Sequence, residues 1–168
     1  MNLYPKLYIN NVQKITYEIL QKNNIKGLIL DVDNTLIDYY KNMPNGIEKW
    51  CKDLKNKNIK FCIASNSNKE EKIKKVSEKL EIPYIYFAKK PLKTGLTKAR
   101  KIMELESNEV AVVGDQIFTD ILGANRCKMF SILVEPIEEK DIFITMVKRP
   151  IENIIKKKCK KGEGKICT

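Results

Sequence analysis

The chain contains no histidine among its 168 residues. That absence removes Ser-His-Asp triads, H-E-x-x-H metalloprotease sites and histidine-ligated zinc in one step. Any hydrolysis here has to be run by carboxylates, lysines, hydroxyls and an oxygen-bound cation. The 5 cysteines form no C-x-x-C pair, and their odd number argues against a complete disulfide framework. Cys62 and Cys127 lie in or beside apolar segments and read as small core residues. Neither a secretory signal nor an apolar run of spanning length is evident. These absences predict a cytoplasmic protein, with peripheral contact at the cytoplasmic face of a membrane compatible with them. Acids are short too: 32 Lys plus Arg face 21 Asp plus Glu, a formal charge of +11. Such an excess favours anionic partners, whether phosphorylated molecules, anionic lipid surfaces or nucleic acid. Lysine supplies most of it, as mobile point charges rather than rigid forks.

What is present is an alternating pattern. A hydrophobic content of 43% over 168 residues suits one α/β domain spanning 1–168. Short apolar runs at 27–30, 59–64, 84–87, 110–113 and 131–134 predict strands buried on both faces of a parallel sheet. Between them, Pro44 can start a helix carrying Ile47, Trp50, Cys51 and Leu54, and Asn68 can cap one carrying Ile73, Val76 and Leu80. Leu96, Ala99, Ile102 and Met103 mark another amphipathic stretch. The segment from Ile117 to Cys127 is interrupted by Gly123, which would permit close helix–sheet packing. Strands separated by helices give right-handed crossovers and a mostly parallel sheet with helices on both faces.

That architecture gathers residues that are distant in the chain. Asp31, Ser65 and Asp115 each follow a different strand, at the edge where doubly wound sheets place ligands. In Asp31-Val32-Asp33-Asn34-Thr35-Leu36 two carboxylates emerge close together, an arrangement that calls for a cation or another compensating partner. Asp115 adds a third acid and Asp120 a fourth, one helical turn on. An all-oxygen set of this kind suits Mg²⁺, which retains water and binds a substrate phosphate.

Taken with Ser65-Asn66, Lys90-Pro91 and Gly114-Asp115-Gln116-Ile117-Phe118-Thr119-Asp120, this pattern resembles the haloacid-dehalogenase-like (HAD) phosphatase superfamily, in particular its small, capless class III members. More narrowly, the chain is similar to the YqeG-like family associated with phosphatidylglycerophosphate phosphatases. That resemblance runs from Leu3-Tyr4-Pro5 through Gly27 and Gly123-Ala124-Asn125-Arg126 to Lys148-Arg149-Pro150-Ile151-Glu152. It implies a HAD-like Rossmannoid three-layer sandwich without a large cap, preceded by an N-terminal family extension over 1–24. The short segment between Asp38 and Pro44 leaves no room for a folded cap.

The resemblance also implies roles. Asp31 would be the nucleophile and first metal ligand, forming an aspartyl phosphate, and Asp33 the acid and base, with its carbonyl on the metal. Ser65, Asn66 and Lys90 would bind the transferring phosphate, Lys90 also compensating charge near Asp31. Asp115 would bind Mg²⁺, and Asp120 would support the metal's water shell or orient Lys90, unless it serves only the helix terminus. Asn34 and Thr35 would shape the loop. Two positions depart from the family pattern: Ser67 stands where relatives often carry Asn, and Lys72 where Arg is expected.

The substrate stays open at this level. A phosphate-bearing anionic membrane lipid, phosphatidylglycerophosphate, is the first reading; a soluble metabolite, nucleotide or phosphoprotein uses the same residues. A basic RNA-associated protein with a phosphatase-like fold is the non-enzymatic alternative, although no standard RNA motif is present. A phosphorylated receiver fits less well, because Asp31 and Asp33 are too closely paired. The basic tail over 151–168 sets Ile151, Ile154 and Ile155 beside a run of lysines, and it reads equally as a membrane-contact element and as a solvated terminal helix.

Overall fold

The computed structural model describes residues 2–138. The basic tail and the Lys148–Glu152 segment lie outside the described residues.

Six strands, β1 (Leu7–Ile9), β2 (Gly27–Leu30), β3 (Lys60–Ala64), β4 (Tyr84–Ile85), β5 (Val110–Gly114) and β6 (Phe130–Val134), make one sheet in the order β1-β6-β5-β2-β3-β4. Every pairing is parallel. The helices are α1 (Tyr17–Lys22), α2 (Ile47–Asn56), α3 (Glu70–Leu80), α4 (Lys93–Met103) and α5 (Leu122–Arg126), the last entered through a π-helical turn at Ile117–Ile121. Strand residues alternate between the two faces, and each face meets its own helices. Leu28, Leu30, Phe61 and Ile63 pack with Trp50, Leu54, Ile73 and Val76 in the larger core. On the opposite face Ile29, Cys62 and Val112 pack with Leu96, Ala99 and Ala124. This is the expected three-layer α/β sandwich.

Several elements differ from their sequence reading, each for a local reason. The N-terminal segment, read only as a packed extension, supplies a strand: Leu7 and Ile9 pair in register with Ile132 and Val134 of β6. Three fully buried residues are too short a run for periodicity to reveal. Helix α2 begins at Ile47 rather than at Pro44, because Gly46 takes the left-handed conformation (φ 91°) and cannot lie within a helix. Asn68 does not cap α3; Lys69 holds the cap position without a side-chain bond, and the Lys69 N–H donates to Ser67 Oγ at 3.2 Å. Strand β4 stops at Ile85, since Phe87 turns to φ 48° and donates its N–H to Ser67 O. On α4, Ile102 falls off the buried 96–99–103 stripe and is half exposed. Cys62 is fully buried, whereas Cys127 is only partly so.

Gly123 serves helix–helix rather than helix–sheet packing, because the neighbours it faces belong to α4 and the Pro91 loop. A Cβ there would come within 3.0 Å of Leu96 Cδ1 and 3.4 Å of Pro91 Cα, so the bare backbone lets α5 close on α4 beside the Lys90 loop. Leu96 itself is fully buried in that contact. Leu96→Ala is expected to lower unfolding free energy by about 2–5 kcal/mol, read from urea denaturation followed by circular dichroism.

Candidate active site

The chain runs from β2 outward to β3 and β4 on one side and to β5, β6 and β1 on the other, so the strand order reverses between β2 and β5. Beyond their carboxyl ends a crevice forms, and Asp31 and Asp115 are the first residues past those two strands. No helix or strand intervenes between β2 and α2 or between β3 and α3, so among the described residues neither connection inserts a folded cap at this edge. The loop after Asp31 is drawn tight by the amides of Thr35, Leu36 and Ile37, all donating to Val32 O, with Asn34 left-handed at φ 60°. Asn34 and Thr35 thus shape the loop.

Lys90 is the hub of the site. Its buried ammonium donates to Asp31 Oδ1 at 2.6 Å and to Asp120 Oδ1 at 2.7 Å. Burial disfavours that charge, but Asp120 and Asp31 outweigh it and hold the group above the ordinary lysine range. Asp120 also accepts the Gln116 N–H at 3.2 Å through its other oxygen, so it both orients Lys90 and ties down the turn that carries it. Gly114 makes this possible: a Cβ there would lie 2.3 Å from the Asp120 carboxyl carbon.

Asp31, Asp115 and Asp120 each bring an oxygen within 4.8 Å of the others. Asp115 Oδ1 is enclosed and has no hydrogen-bond partner among the described residues. Burial, with the nearby acids adding to it, pushes Asp31 up to about 7 despite Lys90. Burial, then Asp31 and Asp120, pushes Asp115 up to about 8. Three acids share one ammonium and one oxygen lacks any partner, which is the donor set a hard divalent cation requires. The residues fit such an ion.

The remaining residues sit around this cluster. Ser65 is buried at the end of β3, its Oγ accepting the Ser67 N–H at 3.1 Å, which leaves the hydroxyl hydrogen to donate elsewhere. Asn66, expected among the phosphate-binding residues, commits both side-chain ends to Lys90: Nδ2 donates to Lys90 O at 2.8 Å, and Oδ1 accepts the Lys90 N–H at 2.7 Å. Its amide group matches a peptide edge, so it holds the Lys90 backbone in place. The Asp33 carboxylate stands apart from the acid cluster and is gripped by Lys72 Nζ at 2.6 and 2.8 Å. Sequence reasoning marked Lys72 only as a departure; its place in the first turn of α3, just past the Ser65 loop, was the available signal. Gly114 and the Asn66 clamp were likewise missed, because neither residue type announces a contact across strands.

Sheet order, motif order and cluster together define a phosphatase of the haloacid-dehalogenase-like superfamily. The family described as mitochondrial PGP phosphatase matches residues 1–138, and the chain belongs to it. The protein of Bacillus subtilis named "Probable phosphatase YqeG" is 40% identical over 154 residues, covering 90% of this chain and 88% of that one. Phosphatidylglycerophosphate phosphatase 1, chloroplastic/mitochondrial, of Arabidopsis thaliana is 28% identical over 173 residues, with 94% of this chain covered and 49% of that protein. Among solved structures, the cobalt-bound deoxy-D-mannose-octulosonate 8-phosphate phosphatase of Haemophilus influenzae shares the fold at TM-score 0.57 and 18% identity, over 83% of this chain and 90% of that one. An uncharacterized protein of Listeria monocytogenes does so at TM-score 0.55 and 17% identity, over 79% and 99%.

Asp31 and Asp115 bind protons more tightly in the folded chain than at the ordinary Asp value of 3.8. Their contribution to stability is complete below that value and is lost as pH rises through about 7 to 8. A divalent cation displaces the same protons, so its affinity rises over this window. Chelator-treated protein is expected to melt at lower temperature at pH 8 than at pH 5.5. Magnesium or manganese chloride should restore it at pH 8 and do little at pH 5.5, and Asp115→Asn should flatten the difference. Gly114→Ala is expected to push Asp120 off Lys90 and cut phosphatase turnover by up to about 100-fold, checked by kinetics on protein whose circular dichroism is unchanged.

Proposed function

We propose that the chain is a Mg²⁺-dependent phosphomonoester hydrolase that works through an aspartyl phosphate on Asp31 and takes phosphatidylglycerophosphate as substrate. The observation that carries the chemistry is the Lys90 ammonium on one oxygen of Asp31, which leaves the other for attack on phosphorus. The substrate rests on family membership and on the uncapped edge, which suits a phosphate presented at a lipid surface.

In this reading Asp31 forms a bond to phosphorus as the bond to the glycerol oxygen breaks, and Asp33 supplies the proton to that leaving oxygen. Asp33 is parked on Lys72 and has to be released from it to deliver the proton. Water then attacks phosphorus and gives its proton to Asp33, releasing inorganic phosphate and restoring the Asp31 carboxylate. Lys90 and the Ser65 hydroxyl stabilise the phosphoryl oxygens, while Asn66 fixes Lys90. Mg²⁺ held by Asp31 and Asp115, with the Asp33 carbonyl as a further ligand, would neutralise phosphate charge, and Asp120 would keep Lys90 beside it. No described helix is long and apolar enough to cross a membrane. In this reading the chain meets its lipid peripherally, at the cytoplasmic face.

Phosphate release from phosphatidylglycerophosphate in detergent micelles is expected to require magnesium. Asp31→Asn should abolish it, and Asp33→Asn should slow it about 10²–10⁴-fold. Asp31-dependent release from soluble phosphomonoesters alone would keep the mechanism and reject the lipid.

A further inference from the structure

Seven large hydrophobic residues are exposed among those described, and five of them sit on the edge that carries the active site. Tyr39 and Tyr40 are 71% and 62% exposed in the loop that leaves Asp31. Tyr86, Phe87 and Leu92 are 41%, 52% and 49% exposed between β4 and α4. The connections after parallel strands all emerge at the carboxyl edge, so these five residues and the acid cluster share one end of the sheet. Exposed apolar side chains gathered at one edge mark an interaction surface.

The rim is held near the chemistry. Phe87 N–H donates to Ser67 O at 2.9 Å and Ala88 N–H to Ser65 O at 2.8 Å, which ties the Tyr86–Phe87 turn to the Ser65 loop. Leu92 follows Lys90 by two residues, across a turn closed by the Leu92 N–H on Lys89 O at 2.8 Å. Exposed lysines interleave with the apolar groups: Lys41 after Tyr40, Lys69 in the β3–α3 connection, and Lys89 and Lys93 beside Leu92. Lys89 Nζ lies 4.9 Å from the centre of the Phe87 ring. A groove of about 830 Å³ borders the same corner, lined in part by Tyr86, Phe87, Lys89 and Lys98.

We infer that this rim docks the enzyme on an anionic bilayer, with Tyr39, Tyr40, Phe87 and Leu92 entering the interface and the lysines meeting lipid phosphates. Aromatic rings with a polar end favour the headgroup level, and an ammonium on a flexible stem can reach anionic phosphate beside them. Cation charge and apolar rings in one patch complement a lipid surface better than they complement another protein's core. Docking in this orientation turns the uncapped crevice toward the headgroups, so the bilayer closes the site that no cap covers. The inference deepens the lipid reading above and rests on it for its purpose, though not for its test.

The full chain and the variant Tyr39→Ser/Tyr40→Ser/Phe87→Ser/Leu92→Ser are compared by sedimentation with vesicles of phosphatidylglycerol and of phosphatidylcholine, without substrate. The wild type is expected to bind the anionic vesicles selectively, and the variant about 10-fold or more weakly, with circular dichroism and melting temperature retained. Phe87→Trp should shift its emission to the blue on adding anionic vesicles and be quenched by brominated lipid. Equal binding by wild type and variant, or none by either, overturns the proposal. So does a concentration-dependent dimer abolished by the same substitutions without vesicle binding, which would assign the rim to a second copy of the chain. Hydrolysis of a water-soluble short-chain phosphatidylglycerophosphate separates the two readings. Turnover without vesicle binding sinks the docking surface alone, and rim-dependent binding without turnover upholds the surface and removes the substrate.

Discussion

Everything at the carboxyl edge depends on one buried ammonium. Lys90 bridges Asp31 and Asp120 at 2.6 and 2.7 Å inside a site that also holds Asp115. Without it, acids that lie within 4.8 Å of one another would repel at low dielectric. With it, three acids still share one ammonium, and burial first, with the neighbouring acids adding to it, holds protons on Asp31 and Asp115 far above the ordinary Asp range. The site is thus built short by about one cation. That deficit is the source of its affinity for a divalent ion and for the charge pattern of a phosphate beside it.

Much of the surrounding structure serves to keep Lys90 where it is. Asn66 grips its backbone from β3's end, Gly114 clears space for Asp120, and Gly123 lets α5 approach Pro91. These contacts come from β3, β5 and α5, so the ammonium is located by the sandwich as a whole and not by its own loop. By contrast the Asp33 carboxylate is half exposed and held only by Lys72. That exposed pairing leaves the Asp33 carboxylate freer to move than the buried charges of Lys90, Asp31 and Asp120.

The rim makes a further contrast with the site it surrounds. Its large residues are exposed and apolar, its lysines few but well placed, and its Tyr86–Phe87 part is pinned by backbone bonds to Ser65 and Ser67. A phosphatase with a folded cap encloses its substrate within protein. Here no described element caps the crevice, and the loops that border it carry exposed apolar side chains beside lysines.

The sequence by itself determined the fold class and the chemical identity of the site. Short apolar runs alternating with amphipathic stretches dictate a parallel sandwich, and acids placed after its strands converge because parallel crossovers bring every strand's carboxyl end to one edge. Asp31, Ser65, Asp115 and Asp120 were therefore legible from order and spacing, and Lys90 from the resemblance that the motif order carries. Tertiary structure decided what no local pattern encodes. The three residues of β1 become a strand only because β6 offers a partner, and Pro44 and Asn68 yield their helix starts to caps at Gly46 and Lys69. It placed the Asn66 side chain on the Lys90 backbone, set Lys72 against Asp33, and left Tyr39, Tyr40, Phe87 and Leu92 exposed. Such contacts join residues far apart in the chain through directional bonds and shared space, and those are settled by packing after the periodic pattern has done its part.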